Sequence, residues 1–201
     1  MDRMMREKRG SITSKQSSVL FFRHSPVIEK GLCYGQSDHE TEHSALEVAH
    51  LFSRTELLTL NESDLSYDHI QLWSSPAVRC AEPARMISLQ QHWTLMIDPR
   101  LYELSFGKWE GLTWEEIERR DKIAFHQWMA HWKTKSPPQG ECLEELSQRV
   151  GEWYKQLPSN TLHILIGHAG VWRALLVLSK QLSWDEAMSV EVPHLTLSRL
   201  H

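Results

Sequence analysis

Three short apolar segments of this chain each end abruptly at a polar turn, and this feature most constrains the fold. Residues 19–22 (VLFF) end at RHSP, 69–73 (HIQLW) at SSP and 162–166 (LHILI) at GHAG. Residues 93–97 and 195–198 are two further strand candidates. Short apolar segments bounded by turn formers are typical of buried strands. We therefore expect a sheet whose strand ends carry polar side chains.

Helix-forming stretches separate the strand candidates. The sequence predicts helices over about 41–60, 77–90, 113–132, 143–157 and 171–179. In the second of these, Ser75 is expected to cap the helix, Pro76 to occupy its first position and Pro83 to kink or break it. Strands that alternate with helices indicate an α/β domain around a mostly parallel sheet.

The length of 201 residues suits one domain, which we expect over 18–201. Residues 1–17 are polar and basic, and we expect a disordered arm there. The arm lacks the apolar stretch of a secretory signal, and no apolar run approaches membrane-spanning length. The three cysteines are scattered and form neither a disulfide framework nor a CxxC site. The sequence therefore predicts a cytoplasmic protein without membrane association, either a monomer or a homodimer.

The charge balance limits the kinds of partner. The formal net charge is -4, and nonspecific nucleic-acid binding needs a basic surface, so we expect no nucleic-acid partner. A mildly acidic exterior does not exclude a small anionic substrate, because a few arginines in a cleft can outweigh it locally.

Two histidines occupy equivalent positions in the pattern. His24 and His168 each follow an apolar strand and precede a turn, and the carboxyl ends of parallel strands face one ligand crevice. Arg23 directly precedes His24, and Arg79 follows another strand near the start of its helix. Taken singly, a histidine at a strand end is more often structural than catalytic.

The joint pattern is far more specific than any one residue. The segments FFRHSP, SSPAVRCAEPA, LYELSFGKWEGLTWEEI, PPQGECLEEL and LIGHAGVWRALL occur in this order. Together they resemble the histidine phosphatase superfamily, which includes the cofactor-dependent phosphoglycerate mutases, and the resemblance covers about 19–200. It implies a phosphoglycerate mutase-like three-layer α/β/α sandwich with a short helical cap. It also implies a phosphomonoesterase that needs no metal and no other cofactor.

The resemblance places five catalytic residues. The family's catalytic Arg-His pair falls on Arg23 and His24, with His24 as the nucleophile that becomes a phosphohistidine. The second arginine falls on Arg79, the acid/base glutamate on Glu103 and the second histidine on His168. These residue types suit the chemistry, because a neutral imidazole can attack phosphorus and guanidinium groups offer paired donors that stay charged.

The sequence departs from the family pattern beside the nucleophile. Ser25, Pro26 and Val27 stand where the family usually has Gly followed by Thr or Ser, and no Asn follows, so part of the phosphate cradle must be built differently. Cys142 replaces a usual Ser. The loop 31–38, GLCYGQSD, resembles the CYG-x-[ST]-D variant of alpha-ribazole phosphatases. By this resemblance, four residues are expected to contact phosphate or substrate, namely Tyr34, Gly35, Gln36 and the backbone N–H of Ala169.

The resemblance favours a small phosphorylated metabolite as substrate, with alpha-ribazole 5'-phosphate of cobalamin biosynthesis as the first candidate. One alternative is a broad-specificity phosphatase or a phosphoglycerate mutase-like enzyme, although the short cap favours a phosphatase. An alternative of another class is a non-catalytic module that binds phosphorylated ligands. Retention of both the nucleophile and the acid argues against such a module.

Two other signals are interpreted more simply. His39 and His43 have the spacing of helical metal ligands, but HExxH and a completing cysteine or histidine cluster are absent, so a solvated helix face is expected. Four tryptophans crowd the segment after Glu103, and we expect them to pack the helical insert onto the sheet. In the alternative, one of them lines the pocket and stacks on an aromatic leaving group; the four are Trp109, Trp114, Trp128 and Trp132.

Overall fold

A computed structural model describes residues 18–55, 67, 69–179 and 182–200. The arm expected over 1–17 lies outside the described residues, and the domain boundary at residue 18 stays a prediction. Among the described helices, none is long and apolar enough to span a bilayer.

The centre of the fold is a five-stranded sheet with the strand order β3-β2-β4-β1-β5. The strands are β1 (Ser18–Arg23), β2 (His69–Ser74), β3 (Thr94–Ile97), β4 (Thr161–Gly167) and β5 (Leu197–Leu200). Parallel pairing joins β3 to β2, β2 to β4 and β4 to β1, whereas β5 is antiparallel to β1. The predicted mostly parallel sheet is confirmed.

The described part of the chain contains seven α-helices. They are α1 (Ala45–Ser53), α2 (Val78–Gln91), α3 (Trp114–Arg120), α4 (Lys122–Ala130), α5 (Leu143–Lys155), α6 (Ala169–Leu178) and α7 (Trp184–Ser189). Side chains of β1 alternate between two cores, because successive strand residues point to opposite faces. Phe21 packs in the core that includes residues of α5 and α6, and Phe22 in the core that includes residues of α1 and α2. The predicted three-layer α/β/α sandwich is confirmed.

The first helix is shorter than predicted. Helix α1 begins only after Ser44, whose side chain accepts from the backbone N–H of Glu47 in a capping box. His39 and His43 precede this helix, so the expectation that they lie on a solvated helix face is wrong. His43 Nδ1 lies 3.2 Å from Ser25 Oγ instead.

The start of α2 also differs from the prediction. The helix begins at Val78, so Pro76 lies outside it and Ser75 is not its cap. Asp38 accepts the N–H of Val78 through Oδ1 at 2.8 Å, which ties the loop 31–38 to the helix N-terminus. Pro83 lies inside α2, and the helix continues to Gln91, so a local break at Pro83 is wrong and the alternative, a kink, stays a prediction.

The predicted helix over 113–132 is two helices, α3 and α4, which meet at Asp121 and together form the helical cap. The side chain of Asp121 accepts a hydrogen bond from Trp109 Nε1 at 3.1 Å, so the break serves to anchor a buried tryptophan. Trp109 and Ile117 form a small core of the cap, against which Trp128 packs. Helix α7 was not predicted, although its capping box from Ser183 to Glu186 is visible as S-x-x-E.

Candidate active site

Two neighbouring parallel strands bring the two predicted histidines together. Arg23 pairs with Gly167 in the register of β1 and β4, so the residues that follow these strands are neighbours. The backbone N–H of His24 donates to Gly167 O at 3.2 Å, and the ring centroids of His24 and His168 are 5.1 Å apart. Both side chains therefore lie at the carboxyl edge of the sheet.

The side chain of His24 has a defined tautomer. Its Nδ1 lies 2.6 Å from Ser25 O, and a carbonyl can only accept, so Nδ1 carries the proton and Nε2 keeps its lone pair. Burial holds the pKa of His24 well below its ordinary value, and the positive charge of Arg79 lowers this pKa further. The ring is therefore neutral at physiological pH.

Arg79 lies in the first turn of α2 and reaches the same edge. Its Nη1 donates to Ser37 O at 2.7 Å and its Nη2 to Gly35 O at 2.5 Å. Nε of Arg79 is buried and has no hydrogen-bond partner among the described residues, and the same holds for Nε of Arg23. An unsatisfied buried donor is costly, and an anion bound at this edge would satisfy it.

His168 is fully buried at the N-cap of α6. Arg79 Nη2 approaches His168 Nδ1 at 3.4 Å and can only donate, so Nε2 carries the proton and donates to Ser75 Oγ at 2.8 Å. Burial holds the pKa of His168 well below its ordinary value, and the nearby His24 and Arg79 lower it further. Both ring nitrogens already have protein partners, so a role for His168 as a donor to phosphate stays a prediction.

Glu103 approaches the edge from the segment that follows β3. Its Oε1 accepts the N–H of Leu104 at 2.9 Å, and its Oε2 accepts the N–H of Gly170 at 3.0 Å. A Cβ on Gly170 would overlap Glu103 Oε1, so only glycine permits this approach. The carboxyl group is therefore held against the N-terminal turn of α6.

Arg149 on α5 holds the backbone of this segment in place. Its Nη1 donates to Arg100 O and Tyr102 O at 2.6 Å each, and its Nη2 donates to Glu103 O at 3.0 Å. Glu141 balances its charge with an Nε to Oε1 distance of 2.6 Å. The sequence offered no signal for this residue beyond an arginine on an amphipathic helix.

The four predicted substrate-contact residues lie around the same edge with different surroundings. Gly35 contributes its carbonyl to Arg79, and a Cβ there would overlap Leu104 O. Gln36 is tied to the protein itself, since its Nε2 donates to Glu103 O at 3.1 Å and its N–H donates to Glu110 Oε1 at 3.0 Å. The Tyr34 ring lies 5.6 Å from Arg79 Cζ, and Ala169 is the first residue of α6.

A cavity of about 500 Å³ adjoins Glu103 beneath the cap. Its lining is mainly apolar and aromatic, and Arg173 supplies its positive charge. Three of the tryptophans that follow Glu103 line it, namely Trp114, Trp128 and Trp132. The rings of Trp114 and Trp128 are stacked, with centroids 5.9 Å apart and planes 12° apart. Trp128 therefore packs the cap and also lines the pocket. Stacking on an aromatic leaving group stays a prediction.

Comparison with known families agrees with this geometry. The family model of the histidine phosphatase superfamily (branch 1) matches residues 19–201. This chain belongs to the histidine phosphatase superfamily. Membership supports phosphatase activity, and the recognition made from the five ordered segments is confirmed.

Named relatives of this histidine phosphatase differ in their substrates. A Hydrogenobacter thermophilus protein named "Putative phosphoserine phosphatase 2" is 25% identical over 175 residues, 86% of this chain and 82% of that protein. The adenosylcobalamin/alpha-ribazole phosphatase of Escherichia coli K12 is 28% identical over 102 residues, 49% of this chain and 50% of that protein. The crystal structure of the alpha-ribazole phosphatase from Shigella flexneri superposes with a TM-score of 0.74 at 21% identity, covering 90% of this chain and 89% of that chain. At that identity the structural likeness establishes the fold alone.

Several residues at the edge of this histidine phosphatase escaped the sequence analysis. Ser75 holds His168, and Glu110 accepts three backbone N–H groups, those of Gln36, Ser37 and Phe106. His194 Nδ1 donates to His24 O at 2.7 Å from the far end of the chain. Local patterns cannot reveal such contacts, because the partners are distant in sequence.

Proposed function

We propose that this protein hydrolyses a small phosphomonoester through a phosphohistidine formed at His24. The observation that carries the proposal is the state of His24, whose Nδ1 donates to Ser25 O while burial and Arg79 keep the ring neutral. Nε2 then has a free lone pair in a fixed ring, which is what a nucleophile toward phosphorus requires.

In the first step, His24 Nε2 attacks phosphorus, and the ester P–O bond breaks as the N–P bond forms. Glu103 gives a proton to the departing oxygen, so the product is a neutral alcohol. The phosphoryl oxygens keep their negative charge throughout, and the guanidinium groups of Arg23 and Arg79 stabilise it. Nε of each of these two arginines is buried and has no hydrogen-bond partner among the described residues.

In the second step, water attacks the phosphohistidine and the N–P bond breaks. Glu103, now a carboxylate, takes a proton from the attacking water, and the lone pair returns to His24 Nε2. Inorganic phosphate leaves, and each group has regained its starting state. Arginine side chains supply the positive charge, so the cycle uses no metal and no other cofactor.

The cavity beside Glu103 favours an aromatic leaving group. The acid that protonates the leaving oxygen lines this cavity, so the alcohol part of the substrate would enter it. Its volume of about 500 Å³ lies within the usual range of small-molecule pockets. Stacked indole rings suit a flat aromatic ring such as benzimidazole. Alpha-ribazole 5'-phosphate contains this ring and is our first candidate for the substrate. Two of the named relatives carry this activity in their names.

Other substrates fit this lining less well. The ammonium and carboxylate groups of phosphoserine would lose their hydrating water against the indole rings, which costs free energy. Arg173 in the cavity lining could pair with the carboxylate only. A mutase is one rival function, and it must keep the phosphate and return it to substrate.

A non-catalytic binding module is the other rival, and it needs neither a neutral nucleophile nor an adjacent acid.

A substrate panel tests the proposal. The purified enzyme, treated exhaustively with EDTA, is assayed with alpha-ribazole 5'-phosphate, phosphoserine, 3-phosphoglycerate and p-nitrophenyl phosphate. We expect kcat/KM to be about tenfold or more higher for alpha-ribazole 5'-phosphate than for phosphoserine. No turnover of any ester would favour the binding module, and transfer of phosphate between hydroxyls would favour a mutase.

A further inference from the structure

One segment just before β5 holds both residues of the Arg23-His24 pair. Arg23 Nη1 donates to Val192 O at 2.5 Å, and the N–H of Leu195 donates to Arg23 O at 3.0 Å. His194 Nδ1 donates to His24 O at 2.7 Å. The backbone carbonyls of both residues therefore have their partners in this one distant segment.

The backbone of this segment is strained at the point where it meets the pair. Leu195 has a φ of 55°, in the left-handed region that side chains other than glycine rarely adopt. Such a conformation is strained and persists only where the surrounding structure imposes it. The strain lies directly after His194 and at the residue that binds Arg23 O, so it accompanies the presentation of His194 to His24.

The ring of His194 also contacts the ring of His24. Their centroids are 5.1 Å apart with planes at 69°, while His168 makes a similar contact at 5.1 Å and 62°. Because Nδ1 of His194 points at a carbonyl, it carries a proton whether the ring is neutral or charged. The contact with His24 O therefore does not depend on the charge of His194.

We propose that His194 is a positioning residue that sets the direction of His24 Nε2; this rests on the proposed function. His194 fixes the carbonyl of His24 and hence the peptide plane that links His24 to Ser25. Ser25 O lies in the next peptide group, so its position depends on that plane together with φ and ψ of Ser25, and Ser25 O in turn accepts from His24 Nδ1. Release of the His24 carbonyl would let the peptide rotate and would turn the nucleophilic nitrogen away from the in-line direction.

A matched set of substitutions tests this role. In His194→Asn the amide nitrogen occupies the place of Nδ1, whereas in His194→Gln it is displaced by one bond, and His194→Leu has no donor. We expect His194→Asn to keep kcat within about threefold of wild type. The Gln and Leu variants should lose about 10- to 100-fold in kcat, because a displacement near 1 Å at the reacting atoms has effects of this size. KM should change less than about threefold.

The readouts separate a positioning role from a structural one. Rapid quench into alkali measures the rate of phosphohistidine formation, which should fall with kcat in the Gln and Leu variants and recover in the Asn variant. Thermal unfolding is measured for each, and the polar Gln variant keeps the test valid if the Leu variant does not fold. Equal rates in all four proteins, or equal losses in the Asn and Gln variants, would overturn the role of His194. An absence of phosphohistidine in the wild-type enzyme would instead overturn the proposed function.

Discussion

The strand-end edge and the cavity under the cap are built on different physical principles. At the edge, His24, Arg79 and His168 are at most 4% exposed, and their nitrogens bind partners from several different elements. The cavity is instead walled by large apolar side chains that short helices carry. Several of these remain open to solvent, with Trp114 39% exposed and Met129 54% exposed.

This difference indicates that chemistry and selectivity are separable in this protein. At the edge, loss of one buried polar partner leaves another unsatisfied, at a cost of about 1–3 kcal/mol or more for a charged group. In the cavity, a half-exposed indole contributes contact area and shape, and its loss leaves no unsatisfied polar group. Changes at the edge should therefore affect all substrates, and changes in the cavity should affect only the choice of leaving group.

The largest expected effect is at the nucleophile. His24→Ala should lower turnover of every ester by at least about 10⁴-fold, the scale on which removal of a covalent nucleophile acts. Alkaline quench, which preserves a phosphoramidate, should detect phosphohistidine in wild type and none in the variant. Stability should change by no more than the ~0.5–3 kcal/mol usual for one substitution. Turnover near the wild-type rate, in enzyme freed of contaminating phosphatase, would show that the covalent mechanism is wrong.

Glu103 lies between the two regions, and its effect should depend on the leaving group. With an alkyl ester, Glu103→Gln should slow phosphohistidine formation by about 100-fold or more, because the alkoxide needs a proton as it leaves. With p-nitrophenyl phosphate the slowing should be much smaller, since p-nitrophenolate departs without protonation. Pre-steady-state bursts with the two substrates measure this ratio. An equal slowing with both would exclude Glu103 as the acid.

A change in the cavity should be smaller and selective. Trp114→Ala should lower kcat/KM for a substrate with an aromatic leaving group by about 3- to 10-fold. This range corresponds to the roughly 0.5–1.5 kcal/mol that stacking of two aromatic rings contributes. Turnover of methyl phosphate should stay within about twofold. Ile123→Ala is the matched control, because this cap residue is 76% exposed and does not line the cavity. A loss of methyl phosphate turnover in Trp114→Ala would contradict the separation of the two regions.

The last effect concerns stability rather than turnover, at a buried histidine outside both regions. Trp73 Nε1 donates to His163 Nδ1 at 3.1 Å, and His163 Nε2 donates to Pro158 O at 3.0 Å, so the ring has no free site for a second proton. Burial lowers the pKa of His163 below its ordinary value. The unfolded chain therefore binds the proton more readily as the pH falls below about 6.5, and the folded state loses stability.

This pH dependence is measured by urea unfolding between pH 7.5 and 5. The contribution of His163 to the free energy of unfolding should be constant above pH 6.5. Below pH 6.5 it should fall by at most about 1.4 kcal/mol per pH unit. His163→Gln should flatten the curve, and the slope that remains includes the other histidines whose pKa burial lowers, namely His24, His168 and His194. Identical slopes in wild type and variant would show that His163 does not contribute.

Elements with strong local signals were predictable from the sequence. The strands were predictable, because a short apolar segment that ends at a turn has few other stable arrangements. The start of α1 also has a local signal, the S-x-x-E capping box from Ser44 to Glu47, which was missed. The division of the cap at Asp121 was not predictable, since it depends on a hydrogen bond from Trp109. The continuation of α2 through Pro83 also shows that tertiary packing outweighs a local helix breaker.

The sequence by itself determined the family, the sheet and the five residues expected to act at its edge, because each of these follows from a strand-end position or a motif. Tertiary structure decided how those residues are held. The contacts of Arg149 with Glu103, Ser75 with His168 and His194 with His24 join residues that are 46, 93 and 170 positions apart. The physical reason is that hydrogen bonds and the walls of a cavity depend on distances in space, which only packing of the whole sheet and its helices brings about.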